Sequence, residues 1–180
     1  LQTKLLSERK IFVEGEIDSE NACEFTKQIM YLSLNDSSKP ISVLINSPGG
    51  EIKAGLLMYD VIQSCKTPIK LYCIGSAYSM AALLFACGKN GRFLLPHSEL
   101  MLHEPLLGNR VGGNASSIRS ISESLMSTRE KINKLLALHT GKTEKEIEEV
   151  TAFDHYFDAK EAVSFGLADK IITFENIMEE

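Results

Sequence analysis

A serine with the surroundings of a nucleophile stands in the stretch GSAYSMAALLFACG, residues 75–88. The apolar run before it predicts a buried strand that ends at Gly75, then a tight turn, then a helix that begins at or just after Ser79. At a helix N-terminus, free N–H groups and partial positive charge favour a developing oxyanion. Ser79 is therefore a candidate nucleophile. Serine is also a common helix N-cap, and Ser76 competes for the role from within the turn.

A histidine and an aspartate could complete a catalytic set. His103 stands in LMLHEPLLG, where an apolar strand ends, which is a usual place for a general base, although a lone histidine is more often structural. Asp154 stands among aromatic residues in TAFDHYFDA, and a carboxylate in such surroundings needs a partner. Asp158 is better explained as a helix N-cap, with Glu161 at the capping-box distance.

The sequence NSPGG, residues 46–50, follows a short apolar strand. Open parallel sheets place their sites at this carboxyl end of the strands. Gly49 and Gly50 allow positive φ and a close approach of another chain, so an amide here could bind an oxyanion or a substrate backbone. A plain strand-to-helix turn is the equally open alternative. The string HTGKTEKE lacks the glycine spacing of a P-loop, so no ATP site is recognised.

Composition excludes several classes of function. The chain has 180 residues, 44% hydrophobic and 24% charged, which fits one well-packed domain over residues 1–180. The net charge of −5, with scattered Lys and Arg, argues against nucleic-acid partners. The cysteines form no CxxC pair and lie mostly in apolar runs, which predicts small buried hydrophobes in a reducing compartment and no metal site; they are Cys23, Cys65, Cys73 and Cys87.

Neither a signal core nor a membrane span is apparent. The N-terminal sequence LQTKLLSERK lacks an apolar core, and no run approaches the ~18 apolar residues that a membrane span requires. We expect a cytoplasmic protein without a membrane partner.

The elements that must position the candidate residues alternate between strand and helix. This alternation predicts an α/β domain whose parallel strands are covered on both faces. After the polar, glycine-rich segment GNRVGGN, an apolar stripe predicts a helix over about residues 116–138, with Gly141 as its stop. Such a long helix should protrude beyond the core and meet a partner chain.

Five strings in this order resemble the ClpP family of serine peptidases over nearly the whole chain: INSPGG, GSAYSMAALLFACG, MLHEP, LLALHTGK and AKEAVSFGLADKI. The resemblance implies the ClpP/crotonase-like fold of repeated strand-strand-helix units. It also implies a protruding handle, a long helix plus a short strand, at about residues 106–140. The resemblance further implies that Ser79 is the nucleophile, that His103 is the base and that Asp154 orients the histidine.

The resemblance also implies how a substrate would bind. The backbone N–H groups of Gly50 and Met80 would form the oxyanion hole, and the main chain at Gly49 and Ile52 would pair with the peptide. The family forms two stacked heptameric rings that receive peptide and protein substrates from a separate AAA+ unfoldase such as ClpX, ClpA or ClpC. ATP would be used by that partner, so this chain itself needs no cofactor.

Three features depart from the family pattern. Glu104 follows the base where glutamine is usual, Tyr78 precedes the nucleophile where a small residue is usual, and the handle reads VGGNASSIRSIS. These departures motivate an alternative function, a poorly active structural or regulatory ring subunit that needs a second ClpP paralogue. A third hypothesis, an acyl-CoA-processing enzyme of the crotonase group, is disfavoured because all three triad residue types are present.

Overall fold

Strands and helices alternate along almost the whole chain. The computed structural model describes residues 1–108 and 110–179. Within these ranges the elements are, in chain order, α1 (Gln2–Ser7), β1 (Lys10–Glu14), α2 (Ser19–Asn35), β2 (Ile41–Ser47), α3 (Ile52–Ser64), β3 (Ile69–Tyr78), α4 (Met80–Ala86), β4 (Arg92–Leu94), β5 (Glu99–Leu102), α5 (Ala115–Thr140), α6 (Glu144–Thr151), β6 (His155–Phe157), α7 (Ala159–Phe165), β7 (Lys170–Ile171) and α8 (Phe174–Met178).

The strands form one sheet with a parallel centre. Its main path is β1-β2-β3-β4-β7, and all neighbours along this path are parallel. Parallel strands covered on both faces are expected to be apolar throughout, and the first five residues of β2 are all buried. The predicted α/β class is confirmed.

Strand β3 corrects the first local prediction. It does not end at Gly75 but continues to Tyr78, because its last three residues find a second partner in β5, with Ser76 opposite Glu99 and Tyr78 opposite Met101. Ser76 therefore lies in a strand and not in a turn. Its N–H and its hydroxyl both donate to the Oδ1 of Asn46, at 3.1 and 3.3 Å.

Helix α2 buries one face against the core, and the same helix corrects the expectation for one cysteine. Its buried residues are Ala22, Phe25, Ile29 and Leu32. Cys73 and Cys87 are buried as expected, Cys65 is half-buried, and Cys23 is exposed. Burial of Cys23 was a wrong prediction because the residue next to Ala22 on a helix points away from the face that Ala22 buries.

Helix α5 is the longest element and is buried only towards its C-terminus. Its 26 residues begin after an Asn114 cap and end at Gly141, whose φ of 74° is left-handed. The buried residues are Ile132, Asn133 and Leu136, whereas residues 115–120 are all exposed. The predicted protrusion of this helix is confirmed.

The short strand predicted for the handle is not formed. A strand needs a backbone partner, and residues 103–108 and 110–114 pair with no strand of the described chain. By contrast, the capping box predicted at Asp158 with Glu161 is present, and Thr143 forms another with Glu146. None of the helices in the described ranges has the length and apolar composition of a membrane span.

Candidate active site

Ser79 makes the sharp turn between β3 and α4. Its φ of 57° and ψ of −121° are unusual for a residue other than glycine, and such strained backbone is often found at functional sites. The backbone N–H donates to the carbonyl oxygen of Met101 at 2.8 Å, which ties the turn to β5. Ser79 occupies the N-cap position of α4, but its side chain makes no capping hydrogen bond. The hydroxyl is therefore left for another partner.

That partner is His103. The Nε2 of the imidazole lies 2.7 Å from the Oγ of Ser79, within hydrogen-bonding distance. His103 is the first residue after β5, and the N–H of the next residue, Glu104, donates to the carbonyl oxygen of Thr151 at 2.9 Å. Its side chain is 16% exposed, so the ring is held largely away from water. A neutral imidazole in this position can take the serine proton.

Asp154 faces the other nitrogen of the ring. Its Oδ1 lies 3.6 Å from the Nδ1 of His103, which is an ion-pair distance and longer than a hydrogen bond. The antiparallel pairing of β5 with β6 explains this placement. Leu102 lies opposite His155, so one step further along each strand His103 lies opposite Asp154. The sequence analysis missed β6, although the alternating aromatic residues after Asp154 were a signal for a strand.

The glycines of NSPGG bring a second loop against the turn. A Cβ atom on Gly49 would lie 2.6 Å from the carbonyl oxygen of Tyr78 and 3.0 Å from the Cβ of Ser79, and one on Gly50 would lie 2.1 Å from the carbonyl oxygen of Ile17. The loop is held by two hydrogen bonds of 2.8 Å, from Ile17 N–H to Gly49 and from Glu51 N–H to Ile17. Only glycine allows this approach to the serine.

Free N–H groups are available beside the serine. Met80 is the first residue of α4, so its N–H has no acceptor four residues earlier within the helix. The oxyanion role predicted for Gly50 and Met80 stays a prediction. Both main-chain groups of Gly49 have partners within the chain, the hydroxyl of Ser47 and the N–H of Ile17, and Ile52 is the first residue of α3. Substrate pairing at Gly49 and Ile52 is likewise untested.

An apolar pocket opens beside the serine and histidine. Its walls come from α3, α4, β5 and the buried end of α5, together with the proline that follows the base. Besides Ser79 and His103, the lining residues are Ile52, Met80, Leu83, Leu102, Pro105, Ile132 and Leu136. Because its lining is apolar apart from the Ser79 hydroxyl and the His103 ring, the pocket favours contact with an apolar group.

The residue after the base has a charged partner on the long helix. The Oε2 of Glu104 lies 3.0 Å from the Nε of Arg129, an ion pair without the alignment of a hydrogen bond. Both side chains are partly exposed, at 41% and 27%. The negative charge that the sequence places beside His103 therefore has a positive neighbour, which the sequence analysis did not anticipate.

The remaining titratable candidates lie elsewhere. The ring of His139 contacts Tyr59, and that of His155 packs on Phe157. Asp158 caps α7, as predicted. Within residues 1–108 and 110–179, no three His, Cys, Asp or Glu side chains are grouped so that they could hold a metal ion.

One comparison with known families bears on this arrangement. The family model described as Clp protease matches residues 1–175 of the 180-residue chain. The match spans every element described above except the last residues of α8, and it includes all the residues around Ser79.

Proposed function

The chain belongs to the Clp protease family and is a Clp-type protease, and we propose that it works as a serine endopeptidase. Ser79 is the nucleophile, His103 the general base and Asp154 the acid that orients the histidine. The observation that carries this proposal is the 2.7 Å contact between the Nε2 of His103 and the Oγ of Ser79.

The mechanism follows from the positions of these groups. His103 takes the hydroxyl proton as the Oγ of Ser79 attacks the peptide carbonyl, and the resulting oxyanion is stabilised by the N–H groups of Gly50 and Met80. His103 then donates the proton to the leaving amine, and an acyl-enzyme forms. Water, deprotonated by His103, hydrolyses the ester and returns the serine hydroxyl. Asp154 holds the imidazole orientation and stabilises its positive charge throughout.

Substrate choice is expected to be broad, with an apolar bias. Backbone pairing of a peptide at Gly49 and Ile52, with the bonds of Gly49 to Ser47 and Ile17 exchanged for bonds to the substrate, would depend on main-chain groups, which every peptide offers. The apolar pocket beside Ser79 would favour an apolar side chain next to the cleaved bond. Sequence discrimination would then be weak, and specificity would have to come from control of access.

We expect assembly to supply that control. The Clp protease family match supports a ring-forming oligomer, and the exposed N-terminal half of α5 offers a surface for a neighbouring chain. We expect two stacked heptameric rings that enclose the active sites. An AAA+ unfoldase would deliver protein substrates and use the ATP, and we expect the assembly to work in the cytoplasm without a cofactor in this chain.

A second candidate function is that of a ring subunit with little activity until a paralogous subunit joins it. The observation in its favour is the loose contact of Asp154, which is 59% exposed and 3.6 Å from its histidine. Native mass spectrometry separates the two functions. A homogeneous, active fourteen-subunit particle of this chain alone supports the first, and activity that appears only with a paralogue supports the second.

The direct test is labelling with a fluorophosphonate probe, read out by peptide mass spectrometry. We expect the probe on Ser79 and expect Ser79→Ala to abolish both labelling and peptide cleavage. Ser76→Ala is the matched control, because that hydroxyl lies three residues away and contacts Asn46. Labelling elsewhere in the assembled wild-type protein, or full cleavage by Ser79→Ala, would rule out the serine mechanism.

A further inference from the structure

Tyr78, directly before the nucleophile, lies in a row of side chains that crosses three strands. Tyr78 on β3 is opposite Met101 on β5, and Met101 is opposite Tyr156 on β6. Paired residues on neighbouring strands point to the same face of a sheet. The row therefore links the strand that ends directly before Ser79 with the strand that begins directly after Asp154.

The two tyrosines at the ends of this row are in contact. Their ring centroids are 5.8 Å apart and their planes are 89° apart, the edge-to-face arrangement that aromatic rings favour. The hydroxyl of Tyr78 donates a hydrogen bond to the carboxylate of Glu99, at the start of β5. This bond, together with burial, raises the pKa of Tyr78 to about 12, so the phenol keeps its proton at neutral pH. The ring is thus anchored at its far end.

Asp154 has few other restraints. Among the residues the structure describes, His103 is the one charged or hydrogen-bonding partner of its carboxylate, and the side chain is 59% exposed. The strand behind it, β6, has three residues and pairs with β5 alone in the described sheet. A small side chain at position 78 would not reach across β5 to this strand.

We propose that Tyr78 is a positioning residue, whose ring, anchored on Glu99, holds Tyr156 and so keeps Asp154 in reach of His103. The proposal rests on the proposed serine-peptidase function and names a residue that sets the geometry of its acid. Tyr78 does not line the apolar pocket beside Ser79, and neither do its partners Glu99 and Tyr156. Their loss should therefore affect the chemical step and leave peptide binding intact.

The first test is steady-state cleavage of a short fluorogenic peptide. We expect Tyr78→Ala and Tyr156→Ala each to lower kcat by about 10- to 100-fold, the range for a catalytic group displaced by up to ~1 Å, with KM unchanged. Tyr78→Phe keeps the ring but loses its bond to Glu99, so its kcat should lie between those of wild type and Tyr78→Ala. Tyr31→Ala, another half-exposed tyrosine but on α2, is the control and should leave kcat unchanged.

The second test asks whether Tyr78 acts through the aspartate. In a double-mutant cycle, Tyr78→Ala should have little further effect on kcat once Asp154 is Asn, because the acid is already lost. Independent, multiplicative losses, or a rise in KM with kcat intact, would overturn the proposal. If Tyr78→Ala fails to assemble by native mass spectrometry, Tyr156→Ala carries the same cycle. Cleavage by the wild-type protein that does not depend on Ser79 would instead refute the proposed function. The failure of this proposal and the failure of the proposed function are therefore distinct.

Discussion

Gly49 passes so close to Ser79 that a Cβ atom on residue 49 would lie 3.0 Å from the Cβ of the serine. The φ of Gly49, 94°, is also one that other residues rarely adopt. The loop of residues 46–50 and the turn at Ser79 are therefore fitted against each other, and their spacing depends on the absence of a Cβ atom at position 49.

Gly49→Ala should accordingly damage catalysis more than folding. The added methyl group must push the loop away from Tyr78 and Ser79, and a shift of ~1 Å can lower the rate about 100-fold. We expect that loss in the rate of peptide cleavage and slower fluorophosphonate labelling, with an unchanged oligomeric state by native mass spectrometry. Gly108→Ala is the control, because nothing lies within 4 Å of its added Cβ. Equal activity of the two variants would contradict the close fit.

Asp154→Asn should lower kcat while the fold is kept. Removal of a triad acid lowers the rate by about 10²- to 10⁴-fold, because the imidazolium loses its stabilising charge and its orientation. Asp158→Asn makes the same chemical change four residues away. There it should be nearly silent, because asparagine caps a helix as well as aspartate does. Similar activities for the two variants would argue against Asp154 as the acid.

Arg129→Ala should destabilise the protein slightly and in a salt-dependent way. A partly exposed ion pair contributes at most about 1 kcal/mol, and salt screens it. We expect a lower urea midpoint at low salt, a smaller difference at high salt, and recovery when Glu104→Arg is combined with Arg129→Glu. Arg119→Ala removes the ion pair of Arg119 with Glu123, whose side chains are 80% and 66% exposed, and its effect on stability should be smaller still. A reversed pair that recovers nothing would exclude a direct interaction.

His139 should make the protein less stable in acid. Burial, and after it the positive charge of Arg92, lower the pKa of its imidazole below the ordinary value of 6.5, and the Nε2 of the ring lies 2.8 Å from the hydroxyl of Tyr59. Since the unfolded chain binds the proton more readily, the contribution is present above pH 6.5 and is lost as the pH falls through the lowered pKa.

The measurement is the urea midpoint at several pH values between about 8 and 5, where histidines titrate. His139→Gln keeps a polar group beside Tyr59 and removes the titration, so its midpoint should fall less in acid than that of wild type. The exposed His97→Gln is the control and should follow wild type. A variant at position 139 with the full acid sensitivity would contradict the prediction.

The features that could be predicted from the sequence are those that depend on residues close together in the chain. The helix cap at Asp158, with Glu161 three residues later, is such a local pattern, and the structure confirms it. The placement of His103 against Ser79 was implied by the family resemblance and is present in the geometry.

The parts that could not be predicted depend on pairing between distant segments. Strand β3 continues to Tyr78 only because β5 lies beside its last residues, which no local pattern shows. The same holds for β6 and for the contacts of Tyr78 and Glu104, each of which joins residues more than twenty positions apart. A handle strand, in turn, needs a backbone partner that residues 103–108 and 110–114 do not find within the described chain.

The backbone conformation of Ser79 opposes folding. A residue other than glycine that is held at a φ of 57° is strained by about 1–3 kcal/mol in the folded state. Glycine avoids this strain, and the conformational entropy that it loses on folding costs only ~0.5–1 kcal/mol more than for other residues. Glycine at position 79 would thus favour folding, and serine opposes it. The hydroxyl that the proposed chemistry requires therefore comes with a lower stability of the fold than glycine would give at this position.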